Sequence, residues 1–521
     1  MTDAARTERA SPGTASSGSG VTHLARLPGQ WGAGMVGLLR RMTPWQGLLV
    51  VLLAAYAVTL TRMSLDAHHG LGTHAYDLGI YEQGTWLLSR LETPFITLRG
   101  VHLFGDHTSF ILILIAPLYW LFPATGTLLT VQSVAIAAGA VPVFLYARHR
   151  LGSEPIALVL AVVYLLHPAV SWINTWDFHP EAFLPLFVGF ALYGALTRRW
   201  RLYWVFVVLT LLVKEDTALI IVPLGLWVAL RGDRRIGIAT IVVGATYSLL
   251  AFFVFLQHFS GHGTLYANRI PFGGPIGFVT TALTSPGEVL GHLTSGRRPW
   301  YLFQLTAPFA WVFVRLPSIA AIGSLVVLFN IAVVGESQHH IRYHYSLVVV
   351  AILAMGTVHA LGAVERHRTR VVAAIGVVAL IASYLWGTLP MARDGRDYNP
   401  PSHPQAAAAR EALALVPDDA IVAAEWELTP HLSRRTHVYF RPNPFYTSFY
   451  GIGDGFFGTT YTPPPGTRLP ISDQVEYVVV GPATSWRLPV HTEAWEREKA
   501  AFDLIFSNNY YEVYRRAGSG G

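Results

Sequence analysis

The chain has no cysteine, which excludes disulfides and thiolate metal sites. It has little charge: Asp, Glu, Lys and Arg make up 13% of its 521 residues, against 52% hydrophobic residues. A soluble chain carries roughly a quarter of its residues as charges. Lysine is almost missing, with Lys214 and Lys499 alone among basic residues that are otherwise Arg. No Walker, Rossmann or G-x-S-x-G pattern occurs, so ATP-driven transport and serine hydrolysis have no support. There is no H-E-x-x-H, and so no support for a peptidase. No nucleic-acid partner is expected.

What the chain does have is long apolar runs and a mean hydropathy of +0.41. It reads as an α-helical polytopic membrane protein with some soluble mass attached. Its net charge of +6 matters less than where the Arg residues stand, because basic loops stay cytoplasmic. Residues 1–43 are rich in Ser, Gly, Ala and Arg and read as a disordered cytoplasmic tail, not a signal peptide. His23 to Arg41 interleaves basic residues with Leu, Trp and Met, which suits either an anionic membrane face or a flexible basic flank. Arg40 and Arg41 precede the first span, Trp45–Leu60, and hold the N-terminus inside.

The first external loop then runs over 62–125. Its apolar piece 109–122 is short for a span, which needs roughly 20 residues, so an interfacial or re-entrant helix is expected. Further spans are expected at 126–147, Ile156–Trp172, Ala182–Leu196, Leu202–Val213, Ala218–Leu230, Ile236–Leu256, Tyr301–Val314, Pro317–Val334, Leu347–Val364 and Val371–Leu389. That makes about eleven spans in a membrane domain of 44–389. Residues 390–521 are more polar. Helices are expected at Gln405–Leu415 and Ala494–Phe502, and strands at Ala420–Ala424, Val475–Val480 and Tyr510–Tyr514. This is a small α/β domain, extracytoplasmic by the topology, with 441–466 as a lid or a connection.

The parity of the turns carries the functional argument. Arg148-His149-Arg150, Arg198-Arg199-Trp200-Arg201, Arg231–Arg235, Arg315 and Arg366–Arg370 fall at every second connection. The connections between them hold acids and histidines. The positive-inside rule explains the first half of that pattern and not the second. Five polar clusters on one side imply a shared extracytoplasmic site.

Asp77 and Glu82 lie in His74–Gln83, and a carboxylate there can take a proton from an acceptor hydroxyl or hold a divalent cation. Asp106 and His107 suit a hydroxyl or a metal, although Asp106 also suits a helix cap. Asp177, His179 and Glu181 surround Pro180 at the start of a span, and capping does not need all three. Lys214, Glu215 and Asp216 lie between two short apolar runs, where they must pair or face water. Lys214 suits a phosphate as a point charge. Arg269 follows in a long polar loop with His258, His262 and Asn268. His340 and His344 have metal-ligand spacing on a helix, whereas Arg342 between them suits an anionic oxygen, and phosphate is favoured.

Asp77-Leu78-Gly79, Gly105-Asp106-His107, Asp177-Phe178-His179-Pro180-Glu181 and Lys214-Glu215-Asp216 resemble, in this order between spans, a bacterial family of predicted membrane proteins of unknown function. Pro430-His431-Leu432-Ser433-Arg434-Arg435 is similar to that family too. The resemblance covers roughly 45–515 and is specific as a set. The family is grouped with the GT-C glycosyltransferases, polytopic enzymes that use polyprenyl-phosphate sugars. The resemblance implies a multi-pass protein of the bacterial plasma membrane that transfers sugar from a polyprenyl-phosphate-linked donor to an envelope glycan or protein acceptor. In those enzymes an acidic residue of the first external loop is the base or a metal ligand, and Asp77 matches it. Some members have adjacent Asp-Glu where this chain has Asp77-Leu78, so the role stays open between Asp77 and Glu82. Arg342, with Lys214 or Arg269, would hold the phosphate. No cofactor is certain; a divalent cation is the possible one. The rival expectations are a membrane transporter, which calls for charges at mid-depth and an inverted repeat, and a non-catalytic envelope assembly protein using its tail as a binding module.

Overall fold

The structure, a computed structural model, describes residues 42–261, 269–394, 398–452, 462–482 and 488–518. The expected tail, His262, Asn268 and the middle of the Pro-rich loop lie outside the described residues, Met42 and Thr43 excepted. The chain divides into two units, Met1–Val51 and Leu52–Gly521, and everything below concerns the second.

Among the described residues, five helices are long and apolar enough to cross a membrane: Pro44–His69, Gly126–Leu151, Arg234–Ser260, His344–Leu361 and Arg368–Trp386. A sixth is the pair Glu154–Leu165 and Pro168–Thr175, bent by 47°. Pro168 has no N–H to continue the first helix. The His167 ring accepts from the Ala169 N–H at 3.2 Å and so starts the second. This is fewer than the about eleven spans that apolar length suggested. The other apolar stretches carry helix, but in shorter pieces such as Pro180–Leu196, Trp200–Leu211 and Ala320–Ala332. The stretch expected as one span at Tyr301–Val314 is broken. Ala310 and Trp311 take φ of +47° and +53°, which stops the helical run between Ala307–Phe309 and Val312–Arg315. The piece at 109–122 is a short helix, Ile111–Ile115, continued by a tighter turn at Ala116–Trp120.

His344–Leu361 is the hub, with 83% of its most apolar window buried, against 22% in Arg234–Ser260. It packs against Leu184–Leu196 and Ala140–Leu151. The helices Ala218–Arg231 and Arg234–Leu250 lie close together, because a Cβ on Gly237 would collide with the Ala229 backbone.

The first loop holds a two-stranded ribbon, β1 (Phe95–Ile96) and β2 (Val101–His102). The C-terminal region forms a five-stranded sheet from β3 (Val422–Ala424), β4 (Val438–Phe440), β5 (Tyr477–Val480), β6 (Phe502–Ser507) and β7 (Glu512–Arg516), in the order β4-β3-β5-β7-β6. β3 pairs in parallel with β4 and β5, and β7 runs antiparallel between β5 and β6. β4 and β6 were not expected. β6 falls at the end of the stretch expected as helix at Ala494–Phe502, where the helix is Pro489–Glu498. Trp495, Phe502 and Tyr514 pack with Val475 and Val478 as the core of this sheet. The described parts of the Pro-rich loop dock on the first loop: Gly451 N–H donates to Arg99 O at 2.7 Å, and the Tyr76 hydroxyl donates to Phe449 O at 2.6 Å. Gly451 has φ +84°, and a Cβ there would strike the Thr462 carbonyl.

Candidate active site

The stretch around Asp77 is helical, not an open loop. Ala75–Gly79 makes one turn of π-helix that leads into Ile80–Ser89. Turns of this width are frequent at functional sites. One consequence is that Asp77 and Glu82, which a loop could have brought together, go separate ways. Glu82 is fully buried, accepts the Tyr119 hydroxyl at 2.6 Å and lies 4.0 Å from Arg434. Burial pushes its carboxyl up to about 7, against the Tyr119 hydrogen bond and the Arg434 charge. It does not line the cavity described next.

That cavity has a volume of about 520 Å³. One end is ionisable: Asp77, Asp106, His107, His179, Glu181, Lys214, Glu215, Asp216, Arg269 and His344 all line it. The other wall is aliphatic and aromatic, with Leu184, Leu219, Ile220, Phe252, Val326, Phe329 and Val348. Four clusters distant in sequence thus meet Asp77 in one space.

Asp177 organises this end without lining it. Its carboxylate accepts from the His74 N–H at 2.9 Å and from His74 Nδ1 at 2.7 Å. It takes φ +55°, a left-handed conformation that Asp tolerates better than most residues. Gln132 clamps both sides of the turn: its amide donates to Asp177 O at 2.7 Å, and its Oε1 accepts from the His179 N–H at 2.9 Å. His179 Nε2 then stands 3.4 Å from Asp77 Oδ1. Burial alone would raise Asp77. The hydrogen bond and charge of His179, with the charge of His74, outweigh it and hold the carboxyl below its usual range. Burial would lower His179, and Asp77 raises it instead.

Beyond His179 the pairs continue. Its ring stacks on His344 with centroids 4.1 Å apart. His344 Nε2 is 3.4 Å from Glu181 Oε1, which also accepts from Lys214 Nζ at 2.7 Å. His107 Nδ1 is bonded to Glu215 Oε1 at 2.7 Å, and the Thr108 N–H donates to Oε2 of the same carboxylate at 3.1 Å. Burial raises Asp216 to about 6, against the pull of Lys214. Burial opposes the charge on Lys214, but Glu181, Asp216 and Glu215 hold its pKa well above the usual amine value. The Nδ1 atoms of His179 and His344 are buried and have no hydrogen-bond partner among the described residues.

Two residues read as phosphate or metal ligands are elsewhere. Residues 336–343 form turns, and the helical run starts only at His344, so His340 and His344 do not share a helix face. His340 accepts from the Arg342 N–H at 3.1 Å and does not line the cavity. The Arg342 guanidinium lies over Trp172 at 4.4 Å and Trp176 at 5.6 Å, also outside it. Among the described residues, no group of three or more His, Asp or Glu could hold a metal ion. The donor set is one of pairs and does not suit the divalent cation considered from sequence. Tyr76, Tyr81, Ser248, Asn330, Gln338 and Tyr345 line the cavity and had not been singled out. Asn330 and Gln132 were findable, as polar residues inside apolar runs.

The fold and this site define a multi-pass membrane protein with a GT-C-like architecture. Residues 67–450 match the family described as Predicted membrane protein (DUF2079), and the chain belongs to that family. A comparison with curated proteins gives no match. Among solved structures, ArnT from Cupriavidus metallidurans bound to undecaprenyl phosphate is similar, with TM-score 0.52 and 14% identity over 90% of this chain and 98% of that one. The same protein in the apo state gives TM-score 0.51 and 14% identity over 89% and 97%. At that identity the likeness is one of fold.

Proposed function

We propose that this chain is an integral membrane glycosyltransferase of GT-C type, moving a sugar from a polyprenyl-phosphate donor to an envelope acceptor on the extracytoplasmic face. The observation that carries this is the two-sided cavity, in which a charged end adjoins an aliphatic wall. The wall suits an isoprenoid chain, and Lys214 and Arg269 suit its phosphate. ArnT, whose fold this chain shares, was solved with undecaprenyl phosphate, which supports a lipid-phosphate donor.

Asp77 is the proposed base. The acceptor hydroxyl oxygen attacks the anomeric carbon, and the bond from that carbon to the phosphate oxygen breaks. The electron pair leaves with the polyprenyl phosphate, and the hydroxyl proton passes to Asp77. An ionised carboxylate paired with His179 suits that step. The region 390–521 is proposed as the extracytoplasmic domain beside the acceptor. The ionisable residues stand at helix starts, in Pro180–Phe183, Glu215–Thr217 and His344–Ser346. That favours a transferase over a carrier, which would need them at mid-depth.

The test is a transfer assay on the purified full chain with radiolabelled polyprenyl-phosphate sugars and envelope extract. Label should move into the acceptor fraction with wild type and not with Asp77→Asn. Full activity in Asp77→Asn would remove the base assignment, and no transfer from any donor would remove the function.

A further inference from the structure

We propose that Trp176, His74, Trp426 and Tyr76 form a saccharide-binding row that seats a pyranose of a glycan acceptor beside Asp77. This rests on the transferase reading and names the acceptor's chemical class, which that reading leaves as glycan or protein.

The four rings are continuous. His74 lies 5.6 Å from Trp176 and 6.2 Å from Trp426, and Trp426 lies 4.8 Å from Tyr76, centroid to centroid. All four are half-buried. Tyr76 lines the cavity next to Asp77, and the Asp77 side chain keeps 34% of its surface exposed. The row therefore ends at the proposed base. It begins on the helix Pro168–Thr175 and passes through the residue two places after β3, so the membrane helices and the sheet both supply rings.

Charges border the row. Arg342 lies over Trp176 at 5.6 Å, and Glu427 is close enough to act on His74. A pyranose has a face of C–H bonds, which packs on aromatic rings, and a rim of hydroxyls, which bonds to charged and polar groups. An isoprenoid chain has neither the rim nor a flat face, and the aliphatic wall of the cavity meets its needs. Two surfaces of different chemistry thus meet at Asp77. A membrane-edge aromatic belt presents rings to lipid; here they pack on one another and include Trp426 from the sheet region.

The test is saturation-transfer NMR on the full chain in nanodiscs free of glycoside detergent, with maltotetraose and chitotetraose as probes. Saturation should reach the sugar ring protons, Trp426→Ala and Trp176→Ala should each weaken binding about tenfold, Trp426→Phe should restore most of it, and Trp120→Ala should leave it unchanged. No transfer of saturation to either soluble saccharide overturns the proposal, as does equal binding by the Trp426→Ala and Trp120→Ala variants. A parallel arm uses polyprenyl-phosphate sugar. If only that ligand meets the Trp426→Ala defect, the row holds donor sugar and the acceptor assignment falls. Saccharide binding without any transfer activity would instead leave the row standing and overturn the transferase reading.

Discussion

Asp177 takes two hydrogen bonds from the single residue His74, one from the backbone N–H at 2.9 Å and one from Nδ1 at 2.7 Å. The contact joins the turn carrying Asp77 to the turn carrying His179, and so sets the pairing between them.

That contact makes stability depend on pH. Burial would lower His74, but the charge and hydrogen bond of Asp177 raise it from 6.5 to about 9. A histidine raised in the folded state stabilises fully below its unfolded value, and the gain is lost as pH rises through the folded value. The melting temperature should therefore fall between pH 6.5 and about 9. His74→Gln should flatten this fall, with a loss of about 1–3 kcal/mol at pH 6 after allowing for partial exposure. Thermal melts across that range measure it.

Asp77 and Glu82 should respond differently. Asp77→Asn should lower the transfer rate by about 10²–10⁴-fold, the usual worth of a general base. Glu82→Gln should keep activity within a few-fold, since Gln can still accept from Tyr119. Burial raises Glu82 to about 7, so ionisation costs the folded state as pH climbs through that value. The Gln variant should gain stability relative to wild type at pH 8 compared with pH 5.5, measured by melts of both proteins.

His179 is a positioning residue for Asp77. With His179→Gln, burial is no longer offset by the imidazole, and the Asp77 carboxyl rises. The acid limb of the kcat/KM profile should move to higher pH. An unshifted limb, with activity lowered evenly at all pH values, would mean that His179 acts in packing alone.

The Lys214–Glu181 contact is a buried ion pair at 2.7 Å. Lys214→Met alone leaves an uncompensated carboxylate and should cost about 3–5 kcal/mol. Adding Glu181→Gln should recover part of the stability without recovering transfer. Denaturation of the three variants separates the two effects.

Donor affinity should follow the cavity and not the charge count. Arg269→Gln should raise the donor KM several-fold, whereas Arg342→Lys should leave it near the wild-type value, because Arg342 stacks on Trp172 and Trp176. A donor titration of both variants decides it.

Much of the site was legible in the chain. Asp77, Asp106, His107, His179, Glu181, Lys214, Glu215, Asp216, Arg269 and His344 were singled out because charge in an apolar chain is costly and collects where it is used. Their meeting in one cavity was not legible, since parity of turns assigns a side and not a distance. Gln132 escaped because it lies inside a span, away from every polar cluster.

Composition and hydropathy alone determined that this is a multi-pass helical membrane protein, because apolar length and scarcity of charge leave no other solvent for such a chain. The tertiary structure alone decided between Asp77 and Glu82. Five residues apart on one helical run, they face different surroundings: one carboxylate turns to His179 and the cavity, while the other is enclosed by Tyr119 and Arg434. That difference comes from what packs on each face of the run, and local sequence carries no record of it.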